Sequence, residues 1–254
     1  MPVPNSHTPG FPSIEYASIP CLDADQMLQV DKKAVKEYGL QLLQMMENAG
    51  RSLASAGRSI FFNGHAAQRK ILVLAGKGGN GGGALAAARR LAIWGAQVTF
   101  VLSDVIDLSP AAAAQATILR RMGIEQLSPH TVLFSGYELL IDGLIGYSLK
   151  GAPRGIVRDL ISAINQSGIP VLSLDLPSGL DASTGEAIIP VVKANATLTL
   201  ALPKKGLFCG DAEDHAGNRF LADIGIPFSV YEELGIKQVP RHLFSEGDII
   251  HLSA

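Results

Sequence analysis

Two aspartates close two apolar runs. Leu140-Ile141-Asp142-Gly143 leads into Leu144-Ile145-Gly146-Tyr147-Ser148-Leu149-Lys150-Gly151, and Leu172-Ser173-Leu174-Asp175 leads into Leu176-Pro177-Ser178-Gly179. Carboxylates at matching strand ends suit a bound cation, a ribose diol, or acid/base work if their environments differ. The plainer alternative is that each accepts N–H groups of its own loop. A third segment, Gly76-Lys77-Gly78-Gly79-Asn80-Gly81-Gly82-Gly83, directly follows the apolar run 71–75. Bare backbone N–H groups before a helix suit phosphate, and glycine lets a ligand approach closely. Asn80, Asp142 and Ser178 supply an oxygen set suited to a hard cation.

Other chemistries fit less well. Gly76, Gly78 and Gly81 match G-x-G-x-x-G, and Asp104 ends the next apolar run, where a ribose-binding acid belongs. A nicotinamide dehydrogenase is therefore a competing reading. No Gly-Lys-Ser/Thr follows the glycines, which excludes a Walker A loop. Ser178 lies in Pro-Ser-Gly, not in the G-x-S-x-G of a hydrolase elbow. Scattered histidines and two cysteines without a CxxC give no zinc signature.

The elements that must position these residues alternate. Helical patterns are expected over 23–38 (capped by Asp23), 41–62, 84–94, 110–122 and 155–167, the last closed by Gly168. Strands are expected over 71–75, 97–102, 139–142, 171–175, 197–200 and 219–224. This order predicts an α/β fold, a three-layer αβα sandwich with a mostly parallel sheet. Its right-handed crossovers bring the strand C-terminal ends to one edge, where ligands bind.

The 254 residues suit one large domain over 21–254, with 1–20 as an extended or disordered Pro-rich arm. A net charge of -2 offers nothing to nucleic acid or an anionic membrane. No apolar run is long enough to span a bilayer, and the N-terminus lacks the pattern of a secretory signal. Two cysteines make no disulfide framework, so a reducing, cytoplasmic setting is expected.

Several ordered segments together resemble the YjeF N-terminal domain family, which includes the NAD(P)H-hydrate (NAD(P)HX) epimerases. They are Met45-Met46-Glu47-Asn48-Ala49-Gly50, the glycine segment, 142–151, Asp175-Leu176-Pro177-Ser178-Gly179, Leu202-Pro203-Lys204-Lys205-Gly206 and Asp223-Ile224-Gly225-Ile226-Pro227. The resemblance implies a Rossmann-like domain, often dimeric, that interconverts the R and S forms of hydrated NADH or NADPH. It implies ligand contacts at Gly78, Gly79, Asn80, Gly81, Gly82 and Gly83, and at Gly146, Tyr147, Ser148, Leu149, Lys150, Gly151 and Ala152. Asp175 would contact the ligand and take part in proton transfer, and a potassium ion would sit by Asn80, Asp142 and Ser178. A dehydratase, which restores the S form, would be a separate protein.

One departure bears on activity. The family pattern G-x-G-N-N-G-G-D-G carries an acid where this chain has Gly83. Loss of an acid that transfers protons costs about 10²–10⁴-fold in rate. A silent nucleotide-binding or scaffold domain is therefore the alternative to an epimerase.

Overall fold

The computed structural model describes residues 10–253. Its elements are β1 (Ser13–Glu15), α1 (Ala24–Lys36), α2 (Leu42–Phe62), β2 (Lys70–Ala75), α3 (Gly79–Ile93), β3 (Gln97–Leu102), α4 (Pro110–Arg121) and β4 (Glu125–Leu127), followed by β5 (Leu139–Gly143), α5 (Gly155–Ser167), β6 (Val171–Leu174), β7 (Ala196–Leu200), α6 (Ala212–His215), β8 (Asn218–Ala222), α7 (Phe228–Glu233) and β9 (Ile249–Ser253). The strands form one sheet in the order β1-β9-β8-β7-β6-β5-β2-β3-β4. Every pairing is parallel except β8 with β9.

Alternation along β2 explains the layers. Ile71, Val73 and Ala75 pack with Leu53, Leu85, Leu91 and Leu119 of α2, α3 and α4. Leu72 and Leu74 pack on the other face with Leu160, Ile161 and Ile164 of α5. A strand buried on both faces reads as a continuous apolar run, which is how 71–75 reads. The fold is the expected three-layer α/β sandwich with a mostly parallel sheet.

Several boundaries differ from expectation. The helix expected over 84–94 begins five residues earlier, at Gly79, so most of the glycine segment is the first turn of α3. Glycine's low helix propensity hides this start. The strand expected to reach residue 175 ends at Leu174, because Asp175 turns into the left-handed region (φ 68). The arm expected over 1–20 falls partly outside the described residues, at 1–9. Its later part is ordered: Ser13–Glu15 pairs with β9 in parallel. Strands β1, β4 and β9 were not expected: β1 and β4 have three residues each and no buried position, and β9 is tied in by pairing with the distant β1 and β8.

Two ties place α1 over the sheet edge. Asp23 and Gln26 form a reciprocal capping box at its start, with bonds of 2.9 and 3.0 Å. Lys205 Nζ lies 2.7 Å from Asp23 Oδ2, so the segment after β7 holds the helix start.

Candidate active site

The sheet reverses its winding between β2 and β5, the place where open α/β sheets bind ligands. Two loops meet there. Gly76 N–H donates to Gly143 O at 2.9 Å. A Cβ on Gly76 would fall 1.9 Å from Leu144 O, and one on Gly81 would fall 1.8 Å from Gly76 O. Side chains are excluded at both positions by backbone. Gly82 packs under Met46, whose Sδ would lie 2.5 Å from an added Cβ. These glycines let α3 start tight against its neighbours. The first N–H groups of α3 have no intrahelical acceptor and mark a positive helix end.

Beside this crossing lies a cavity of about 280 Å³. Met27, Met45, Met46, Ala49, Leu174, Leu200 and Ile224 give it an apolar lining. Asp31, Asn80, Tyr147, Asp175 and Lys204 supply its polar groups. Few polar groups on an apolar wall is the usual composition of a small-molecule site. The volume suits one ring of a nucleotide, leaving the rest to the exposed rim. A wider hollow of about 700 Å³ lies by β4 and residues 131–137, away from all of these side chains.

Asp175 is held from three sides. Lys204 Nζ lies 2.5 Å from its Oδ1. Thr199 Oγ1 and Leu200 N also donate to Oδ1, at 3.3 and 3.4 Å. Tyr147 N donates to Oδ2 at 3.2 Å. Lys204 is 1% exposed and also donates to Leu200 O at 2.7 Å. A lysine so buried needs its charge paired, and Asp175 pairs it. The left-handed backbone at Asp175 is tolerated by Asp better than by most residues and turns the carboxylate into the cavity.

Tyr147 also binds Asp31 of α1. Its phenol donates to Asp31 Oδ2 at 2.6 Å. Burial pushes the Asp31 carboxyl above the usual carboxylate range, against the lowering effects of Tyr147 and Lys204. The same burial pushes the Tyr147 phenol upward, reinforced by the Asp31 charge.

Asp142 does not line the cavity and is fully buried. Its oxygens accept Ser178 Oγ (2.6 Å), Ser173 Oγ (2.8 Å), Ser178 N (2.9 Å) and Leu144 N (3.2 Å). Burial raises its carboxyl above the usual range, and the four donors oppose that shift. Asn80 approaches from the α3 side, its Oδ1 3.1 Å from where a Gly146 Cβ would stand. Asn80 Nδ2 is buried and has no hydrogen-bond partner among the described residues. Amide ends are interchangeable in assignment, so this orphan position equally suits an oxygen facing a cation. Among the described residues no three His, Cys, Asp or Glu side chains cluster as a metal site.

Of the expected ligand contacts, Gly79, Asn80, Gly83, Gly146, Tyr147, Ser148 and Asp175 line the cavity. Gly78, Gly81 and Gly82 do not, the last two because they pack against backbone and Met46. Leu149, Lys150, Gly151 and Ala152 follow Ser148 in the chain and do not line the cavity. Asp104 does not join: its Oδ1 accepts Ile106 N and Asp107 N, capping its own turn. At Gly83 an added Cβ would stand 2.9 Å from Leu174 Cδ2, so a leucine methyl fills the space beside the missing acid. Sequence reasoning missed Asp31 and Lys204 as site residues. Lys204 belongs to the Pro-Lys-Lys-Gly stretch, but its burial is invisible in the sequence. Asp31 looks there like a solvated helix residue.

The segment Met46–Gly50 ties several neighbours to the site. Met46 and Ala49 line the cavity. Glu47 takes Arg89, Arg90 and Gln115. Asn48 Nδ2 donates to Ile224 O at 3.2 Å. A Cβ on Gly50 would meet Gly83 O at 2.7 Å and Ala87 N at 2.8 Å, so the glycine lets the α2 backbone approach that of α3.

The chain is similar to known proteins. The chain is 39% identical over 244 residues to the NAD(P)H-hydrate epimerase of Dehalogenimonas lykanthroporepellens, covering 96% of this chain and 97% of that one. It is 34% identical to the NAD(P)H-hydrate epimerase of Truepera radiovictrix, covering 85% and 94%. The Bifunctional NAD(P)H-hydrate repair enzyme Nnr of Moorella thermoacetica is 37% identical over 80% of this chain, which spans 40% of that protein. The crystal structure of yeast ynu0 superimposes with a TM-score of 0.78 at 22% identity, over 92% of this chain and all of that one. Residues 42–206 match the family described as YjeF-related protein N-terminus. The chain therefore belongs to the YjeF-related protein N-terminus family.

Proposed function

We infer that this protein is an NAD(P)H-hydrate epimerase, an isomerase that interconverts the R and S forms of a hydrated nicotinamide cofactor. Near-complete coverage by an epimerase at 39% identity supports this reading. The observation that carries it is a cavity in which the three loops after β2, β5 and β6 meet around Asp175. The apolar wall would take the hydrated ring, and Asp175, fixed by Lys204 and Tyr147, would hold it and move a proton. Its Oδ2 bears only the weak Tyr147 N–H, which leaves that oxygen open to a ligand. The α3 N-terminus and the segment 148–152 would take the phosphates and ribose.

Asn80, Asp142 and Ser178 fit a potassium ion by donor chemistry. Asp142 is a buried carboxylate with no cationic side chain on it, and Asn80 has an orphan amide beside the cavity. Such an ion would supply positive charge to the phosphate-facing loops. A homodimer through the exposed Leu42 and Leu43 at the α2 start belongs to the same reading, and sedimentation velocity tests it. So does a cytoplasmic setting; among the described residues no helix is long and apolar enough to cross a membrane.

The test is to supply R-NAD(P)HX together with an S-specific dehydratase. Added protein should accelerate loss of the R form. No acceleration at micromolar protein rejects the epimerase reading. The second reading, a binder without turnover, is favoured by Gly83. It predicts a nucleotide-dependent rise in melting temperature with no turnover.

A further inference from the structure

The epimerase reading leaves a chemical gap, and any group assigned to fill it rests on that reading. Inversion at a carbinol carbon needs a proton delivered on one face and a proton removed on the other. Water adds to an enamine at the carbon beside nitrogen, so the hydrated ring carries its hydroxyl next to the ring nitrogen. Asp175 can serve one face only, and the glycine segment has no acid at Gly83.

The second carboxylate stands on α1, ahead of the residues that match the family. Asp31 lines the same cavity as Asp175. One residue spans both: Tyr147 sets its backbone N–H on Asp175 Oδ2 and its phenol on Asp31 Oδ2. The two carboxylates therefore line one cavity and are linked through a single tyrosine. Asp31 Oδ1 is buried and no donor among the described residues reaches it. An unpartnered buried carboxylate oxygen is costly unless it carries a proton or meets a ligand.

We propose that Asp31 is the second proton-transferring group of this site, acting on the ring face opposite Asp175, with Tyr147 as its positioning residue. The step balances. The Asp31 carboxyl gives its proton to the ring hydroxyl. The C–O bond breaks, water departs, and the ring nitrogen lone pair forms C=N. Water adds to the other face, the C=N electrons return to nitrogen, and Asp175 takes the proton. In the reverse direction the two carboxyls exchange roles, and solvent resets them. Nothing is oxidised or reduced.

Burial supports a protonated Asp31, since it raises this carboxyl. The groups facing it are Tyr147 after β5, Asp175 after β6, Lys204 after β7 and Tyr231 on α7. Tyr147 and Lys204 lower it, Asp175 raises it, and the apolar wall raises it most.

The experiment measures R-to-S conversion by wild type, Asp31→Asn and Tyr147→Phe across the pH range. Asp31→Asn should lose about 10²–10⁴-fold in kcat, keep its melting temperature, and lose the alkaline limb that reports a general acid. Tyr147→Phe removes a donor that stabilises the carboxylate, so its alkaline limb should move to higher pH. Asp31→Asn with kcat within about threefold of wild type and an unchanged limb overturns the proposal, since a transferring acid is worth far more. If Asp31→Asn does not fold, the Tyr147→Phe limb decides, and an unmoved limb overturns it. An inactive wild type rejects the epimerase reading itself and this assignment with it. An active wild type beside an active Asp31→Asn rejects this assignment alone.

Discussion

Lys204→Met breaks the pair that fixes Asp175. Lys204 is 1% exposed, and its ammonium sits 2.5 Å from Asp175 Oδ1 and 2.7 Å from Leu200 O. Methionine keeps most of the stem's packing, so the change removes charge more than volume. Asp175 would then be a buried anion with three long contacts of 3.2–3.4 Å. Removing one partner of a buried pair costs about 3–5 kcal/mol, whereas an exposed pair is worth about 0–1 kcal/mol. The lower end, about 3 kcal/mol, is expected because those three donors remain. At about 2–4 °C per kcal/mol for a domain this size, the melting temperature should fall by about 6–12 °C. Asp175→Asn/Lys204→Met should recover most of the loss. Asparagine accepts the left-handed backbone and needs no counter-charge. Urea unfolding of both single variants and the double variant gives the coupling energy. A Lys204→Met loss below about 1 kcal/mol would refute the buried-pair argument, because it would place the pair in the exposed class.

The packing and the charges supply further tests. Gly50→Ala should cost about 3 kcal/mol, the upper end for overpacking, because its Cβ meets Gly83 O at 2.7 Å and Ala87 N at 2.8 Å. Gly57→Ala on the same helix should be neutral or stabilising by about 0.4–1 kcal/mol, since its nearest contacts are 3.5 Å; chemical denaturation of both checks the contrast. Burial alone would raise Glu47, but Gln115 and Arg89 bring it below its ordinary value of 4.5. Its contribution is therefore present above pH 4.5 and lost as pH falls through the lower folded value. The stability gap between wild type and Glu47→Gln should narrow in acid, and a gap that stays constant would count against the sign. Asp104→Ala should leave epimerase turnover unchanged, because Asp104 caps its own turn; a large rise in KM for the nucleotide would restore the ribose-binding reading. Gly83→Asp should destabilise by about 1–3 kcal/mol, and by less when introduced into a Leu174→Ala background, where the 2.9 Å contact is vacated.

The sequence by itself determined the layers and the rim. Runs such as 71–75 are apolar at every position because both sheet faces are covered, and that pattern is local. The aspartates at the ends of β5 and β6 reach one edge because parallel strands joined by right-handed crossovers all point the same way. The start of α3 was hidden because glycine, the residue that permits the close approach to Met46 and Gly76, is also a poor helix former. The pairing of Lys204 with Asp175 and of Tyr147 with Asp31 was decided only by tertiary structure. These partners lie 29 and 116 residues apart, and burial, not sequence spacing, makes their charges depend on each other. A lysine and an aspartate on paper are solvated by default. The fold alone took them out of water and set them side by side in the lining of one cavity.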